Sequence, residues 1–269
     1  MVRKKSYPPQ LIIVLLMCLL FSCEEKTSWN LESSGQFLVI DALITNEFKT
    51  QKIRVTRPYT DLNGDPEVVS GINITVSENE NTYIFNESEV EPGIYYSSPF
   101  KADAGKTYKL TISYNAFTDS AFAQMATVSA MNAFNVTAQN KLYKFNYTGS
   151  SSAAMTEVYY NWSAVDTFCT WYGACGAMET YYTINTYDVS KEFGPPRQNI
   201  LFPAETQIIR RKYSLTEAHQ NFIRSLLIET EWRGGIFDVE QGNIPTNFKN
   251  GSRGWFAVCE VLSDTTTVE

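Results

Sequence analysis

The sequence contains a single histidine, His219. That scarcity excludes a zinc site built from several imidazoles. A Ser-His-Asp triad would have to use His219 itself, and no G-x-S-x-G nucleophile elbow accompanies it. His219 lies four residues after Leu215 and three before Phe222, which suits a structural histidine bordering an apolar helix face. Charge is also sparse. Charged residues make up 19% of the chain and acids outnumber bases, for a net charge of -7. Arg3, Lys4 and Lys5 stand at the very start, so the rest of the chain is more acidic still. Such a surface repels phosphate backbones, which argues against nucleic acid as a partner. It offers no electrostatic attraction to anionic lipid either. The apolar run at 11–21 has 11 residues. About 20 are needed to cross a bilayer, so this run does not predict a transmembrane helix. No internal repeat is present.

Hydrophobic residues, by contrast, reach 43%, with 16 Tyr and 16 Phe. Aromatics with few charges suit pleated, half-buried surfaces. From 36 to 128 the chain reads as seven short strands. FLVIDAL at 37–43 is rich in apolar residues. KIRVT at 52–56 places Ile53 and Val55 on one face. INITV at 72–76, TYIF at 82–85 and a strand after the Pro92-Gly93 turn follow. At 105–113, Tyr108, Leu110 and Ile112 recur at period two, and 119–125 supplies the seventh. This spacing predicts a β-sandwich of immunoglobulin or transthyretin type. A second β-rich region, 129–269, is expected to carry strands at 135–137, 141–147, 157–162, 180–187 and 254–262. It is also expected to carry one helix at about 214–231. That helix is predicted to start at SLTE, 214–217, a capping box using Ser214 and Glu217. Leu215, Ala218, Phe222, Ile223 and Leu226 would form its apolar face, and Gly234-Gly235 would end it.

The amino terminus reads as an address. Arg3-Lys4-Lys5 forms a basic start, the apolar run follows, and Ser22 is small, as in a secretory signal. LFSC at 20–23 resembles a lipobox, which predicts a signal peptide at 1–22 and lipidation of Cys23. Two or more acyl chains make such an anchor stable. Glu24 and Glu25 resemble a surface-export signal, and the polar stretch at 23–35 reads as a flexible tether.

The remaining cysteines are Cys18, in the leader, and Cys169, Cys175 and Cys259. In an exported chain, Cys169 and Cys175 suit a disulfide better than a metal pair. Cys259 is either a buried thiol or the partner of one of them. Asp61, Asn63, Asp65 and Glu67 alternate as oxygen ligands for calcium can. The competing reading is a hairpin turn at Asn63-Gly64. No other metal or cofactor is indicated, and no residue is marked as catalytic. The DSA at 119–121 resembles an O-glycosylation site of exported bacterial proteins.

Together these segments resemble a lipoprotein family of Bacteroidetes-type bacteria known as domain of unknown function 4249. The resemblance rests on FLVIDALIT at 37–45, INITV at 72–76, EPGIY at 91–95 and GKTYKLTI at 105–112. It continues with YSLTEAH at 213–219, GIFD at 235–238, Gly242-Asn243 and GWFA at 254–257. Two departures stand out. Only Val239, Glu240 and Gln241 separate the GIFD and Gly242-Asn243 elements, where the family usually has a longer, proline-bearing segment. His219 stands where the family often has Tyr. The resemblance implies a surface lipoprotein of a kind often encoded beside a TonB-dependent outer-membrane receptor, with no catalytic residues attached. The expected function is therefore a non-catalytic accessory or binding subunit. It would be lipid-anchored in the outer membrane, face the cell exterior, and contact a β-barrel protein and other lipoproteins. The alternatives are a structural subunit of an assembly or secretion machine, and a glycan hydrolase built on paired carboxylates.

Overall fold

A computed structural model describes residues 37–59, 64–186, 189–194, 199–233 and 242–269. Cys23, Glu24 and Glu25, the leader and the tether lie outside the described residues, as do Asp61, Asn63 and the GIFD segment. The fold is mostly β, with 46% strand and 10% helix, and the sheets form a sandwich-like and barrel-like arrangement.

The first sheet contains β1 (Val39–Thr45), β2 (Lys52–Thr56), β3 (Asn73–Glu78), β4 (Asn81–Glu87), β5 (Ile94–Ser97), β6 (Thr107–Tyr114) and β7 (Phe117–Gln124). Its eighth strand comes from far along the chain. β14 (Arg253–Cys259) pairs in parallel with β1, with Val39 opposite Arg253 and Thr45 opposite Cys259. The order is β14-β1-β2-β5-β4-β3-β6-β7. Alternation drives it: Ile53 and Val55 on β2, Ile74 and Val76 on β3, and Leu110 and Ile112 on β6 all point into one core. Gly254 permits the β1–β14 approach. Its φ is +92°, and a Cβ there would stand 2.0 Å from the Ile40 carbonyl oxygen. Gly93 has a similar role in its turn, with φ +75° and the Val55 oxygen 2.9 Å from a Cβ position.

The sheet curls until its ends, β7 and β14, meet. Segment 246–252 closes the seam. Asn247 donates to the Phe256 carbonyl (2.8 Å) and accepts from its N–H (3.0 Å), copying a strand neighbour with its side-chain amide. Its amide nitrogen also reaches the Phe122 carbonyl at 3.4 Å. Asp119 on β7 fastens the same segment. It is fully buried and accepts from the backbone N–H groups of Ser120, Lys249, Asn250 and Ser252. Burial alone would raise this carboxyl's pKa, but the donors from Ser252, Asn250 and Ser120 outweigh it and hold the pKa below the usual value. The Asp119 of the DSA motif is thus a buried structural anchor.

The second region layers two sheets. One has the order β11-β10-β13-β15, comprising β10 (Ala154–Asn161), β11 (Gly176–Thr183), β13 (Gln207–Ser214) and β15 (Val261–Thr267). The other is β12-β9-β8, comprising β8 (Val136–Gln139), β9 (Leu142–Phe145) and β12 (Leu201–Phe202). Phe145, Val158, Tyr160, Trp162, Phe202 and Ile208 pack together in one cluster. Short helices α1 (Asp166–Tyr172) and α2 (Val189–Glu192) interrupt the strands. The expected last strand, 254–262, is two strands: β14 serves the first sheet and β15 the second.

The main helix, α3 (Glu217–Glu229), starts later than predicted. Its N-cap is Thr216, whose hydroxyl accepts from His219 N at 3.2 Å. Ser214 does not cap it, because Ser214 ends β13 opposite Ala154 and its hydroxyl accepts from Glu260 N. Its buried residues are Gln220, Ile223, Ser225, Leu227 and Ile228. Of the residues assigned to the apolar face by helical spacing, Ala218 and Leu226 are exposed.

Candidate functional site: an aromatic cleft beside the barrel seam

The barrel seam has an outer surface, and α3 approaches it. Between them lies a cleft of about 360 Å³. Ala218 and His219, in the first turn of α3, form one wall with Trp255 of β14. Phe122, Gln124 and Thr107 form the facing part, on the outward side of β7 and β6. Alternation explains the placement: Ala121 on β7 enters the barrel core, so its neighbour Phe122 faces out and is 45% exposed.

The aromatic wall is a stack. His219 lies against Trp255 with ring centroids 5.9 Å apart and planes within 10°. Phe222, one turn further on, lies 5.1 Å from the same indole at 22°. Such offset stacks stabilise beyond simple burial. Burial lowers the His219 pKa to about 4, so the imidazole is neutral at pH 7. Capping positions it: with Thr216 as N-cap, His219 is the third residue of the helix and is directed onto β14. Sequence reading located this histidine at the edge of an apolar face but missed the cleft. Trp255 was visible in the GWFA motif, yet nothing local linked it to a residue 36 positions earlier.

Lysines ring Phe122. Lys249 Nζ is 4.5 Å from the ring centroid and Lys109 Nζ is 5.8 Å from it. Among the described residues neither lysine has an ion-pair partner, and no carboxylate lines the cleft.

A second polar cluster lies inside the other region. Lys212 is 3% exposed and donates to the Ser129 carbonyl (2.8 Å), the Ser129 hydroxyl (2.9 Å) and the Ala130 carbonyl (3.0 Å). The Ser129 hydroxyl also meets Ser150 at 2.9 Å and Ser152 at 3.1 Å. A serine hydroxyl on a lysine is a nucleophile–base arrangement in outline. Here the ammonium has three acceptors for its three protons, and the adjoining space is about 20 Å³, room for about one water. Its geometry is that of a strut holding the 129–130 connection against β13.

Cys169 and Cys175 are joined as a disulfide. The loop folds over Trp162, whose indole N–H donates to the Ala174 carbonyl at 2.8 Å. Trp171 on that loop is 71% exposed. Cys259 is a free, buried thiol whose pKa burial pushes up to about 12. Of the calcium candidates, Asp65 is exposed, and Glu67 makes a 3.5 Å contact with Arg57.

The family model described as Domain of unknown function (DUF4249) matches residues 24–265. The chain belongs to this family. The match spans both sheet regions, so β14, Trp255 and the cleft are elements of a DUF4249 chain and not an appendage to it. A search of curated proteins finds no match.

Proposed function

We propose that this DUF4249 chain is a surface-exposed outer-membrane lipoprotein, anchored by lipid on Cys23. It acts as a non-catalytic accessory or binding subunit of an outer-membrane β-barrel complex, in contact with the barrel and with other lipoproteins. A TonB-dependent transporter is the partner class that the family resemblance favours. The observation that carries this reading is LFSC at 20–23 followed directly by Glu24-Glu25, which combines an acylation signal with an export signal. Two features of the folded chain support the binding role. The cleft presents stacked rings and a neutral imidazole, an arrangement suited to holding a ligand. Phe48, Val90 and Trp171 are more than two-thirds exposed, as contact residues for a protein partner would be.

Two measurements test the proposal. Cys23→Ala should move the protein from the membrane to the soluble fraction; retention in the membrane would remove the lipid anchor from the account. Affinity purification from detergent-solubilised outer membranes should recover one barrel protein at fixed stoichiometry. Repeated recovery without a barrel would sink the partnership. Depletion then separates the roles: loss of growth on one nutrient supports transport, whereas disturbance of many envelope proteins supports an assembly machine.

A further inference from the structure

The cleft has a chemistry more specific than binding in general. Its lining holds three rings: His219 and Trp255, stacked on each other, and exposed Phe122. Its volume, about 360 Å³, is at the small end of ligand pockets, so it suits one or two fused rings. Its polar lining is largely committed. Gln124 Nε2 donates to Thr107 Oγ1 at 2.6 Å, and the Asn247 amide is engaged at both ends by Phe256. A sugar would bring several hydroxyls needing partners, and few are on offer. Two cations stand next to one lining residue, Phe122, without themselves lining the cleft. In a chain of net charge -7, Lys109 and Lys249 sit around Phe122 with no acidic partner among the described residues. The first turn of α3 adds the partial positive charge of a helix start. His219 is turned into the cleft, and among the described residues no hydrogen bond holds its ring nitrogens.

We propose that this cleft binds a small aromatic carboxylate, with the ring between Trp255 and Phe122 and the carboxylate at the mouth beside Lys249 and Lys109. The inference rests on the cleft being the binding element of the subunit; it is independent of the anchor and the barrel.

The single histidine makes the test clean. The full chain in non-ionic detergent, labelled with ¹⁵N-histidine, has one imidazole signal. Indole-3-acetate is the probe and indole-3-acetamide its uncharged counterpart. The acetate should shift the His219 signal saturably and bind about tenfold more tightly than the amide, the effect of two exposed charge contacts. Lys109→Gln combined with Lys249→Gln should bring the acetate to the amide's affinity. Ala218→Trp, on an exposed helix position, should fill the cleft and abolish both. Equal affinity for acetate and amide would overturn the carboxylate assignment and leave the cleft as a binding site. If neither probe moves His219, the binding reading of the cleft falls with it. Undiminished acetate binding by Ala218→Trp would place the ring elsewhere and overturn the proposal.

Discussion

The two sheet regions solve the same problem with different residues. In the first sheet the inward positions are mostly apolar: Ile53, Val55, Val76, Leu110 and Ile112 are fully buried beside Tyr95 and Phe256, and a buried charge, Asp119, sits at the seam. In the second, Val158 and Ile208 share their face with Arg210 and Lys212, which are 6% and 3% exposed. Arg210 survives burial because its guanidinium has an anionic partner, a carbonyl acceptor and a ring beneath it. It forms a bidentate pair with Asp264, donates to the Asn132 carbonyl at 2.7 Å, and lies 3.7 Å over the Phe134 ring. Lys212 relies on neutral acceptors alone, and its pKa is lowered by desolvation and then by Arg210. A core made by the hydrophobic effect tolerates small changes of shape. A core made of paired polar groups fails when one partner goes.

That contrast can be broken most forcefully at Arg210. Arg210→Met should cost about 3 kcal/mol in urea unfolding, since Asp264 loses its partner but is exposed enough to rehydrate in part. Asp119→Asn should cost about 2 kcal/mol, because charge-assisted bonds to four amides weaken at the seam. The sign with pH is set by its lowered pKa. The stabilisation is present above the unfolded value of about 3.9 and lost as pH falls through the folded value. The Asn variant should therefore lose less stability than the parent below pH 4.

His219 gives the next effect. Its folded pKa is about 4, against about 6.5 unfolded. Between these values the unfolded chain takes up a proton that the folded chain refuses. Stability therefore falls as pH drops through the window. Going from pH 7 to 5, the parent should lose about 1.5 kcal/mol more than His219→Phe, read from paired denaturation curves. A parent and variant that respond alike would show that His219 is not held neutral by the stack. Ile74→Val in the apolar core should cost only about 1 kcal/mol. If it matches Arg210→Met, the contrast between the regions has no energetic content. The smallest effect expected is at Cys259: iodoacetamide at pH 8 should leave the native thiol unmodified and label it only after unfolding.

Much of the first sheet was legible in the sequence. Tyr108, Leu110 and Ile112 repeat at period two and all enter the core. β13 was not legible. Arg210, Arg211 and Lys212 interrupt its alternation, and this inner strand of the second sheet is missing from the strands that the sequence predicts. The missed α3 cap has a related cause. SLTE matches a capping box, but Ser214 is already bound into a strand ladder, and the next hydroxyl, Thr216, takes the role. The cleft left its strongest mark in the Trp of GWFA and in the lone histidine.

From its own pattern the sequence determined the mostly β character, the alternating strands of the first sheet, the presence of one main helix and membership of the DUF4249 family. Periodicity and motif order are local properties of a chain, and they survive whatever the far parts do. Tertiary structure alone decided that β14 lies beside β1, that Arg210 and Lys212 point inward, and that His219 meets Trp255. Each depends on partners remote in sequence: Lys212 finds its acceptor at Ser129, 83 positions away. A buried cation or an open ring is acceptable only where distant groups supply acceptors or leave space, and no local pattern carries that information.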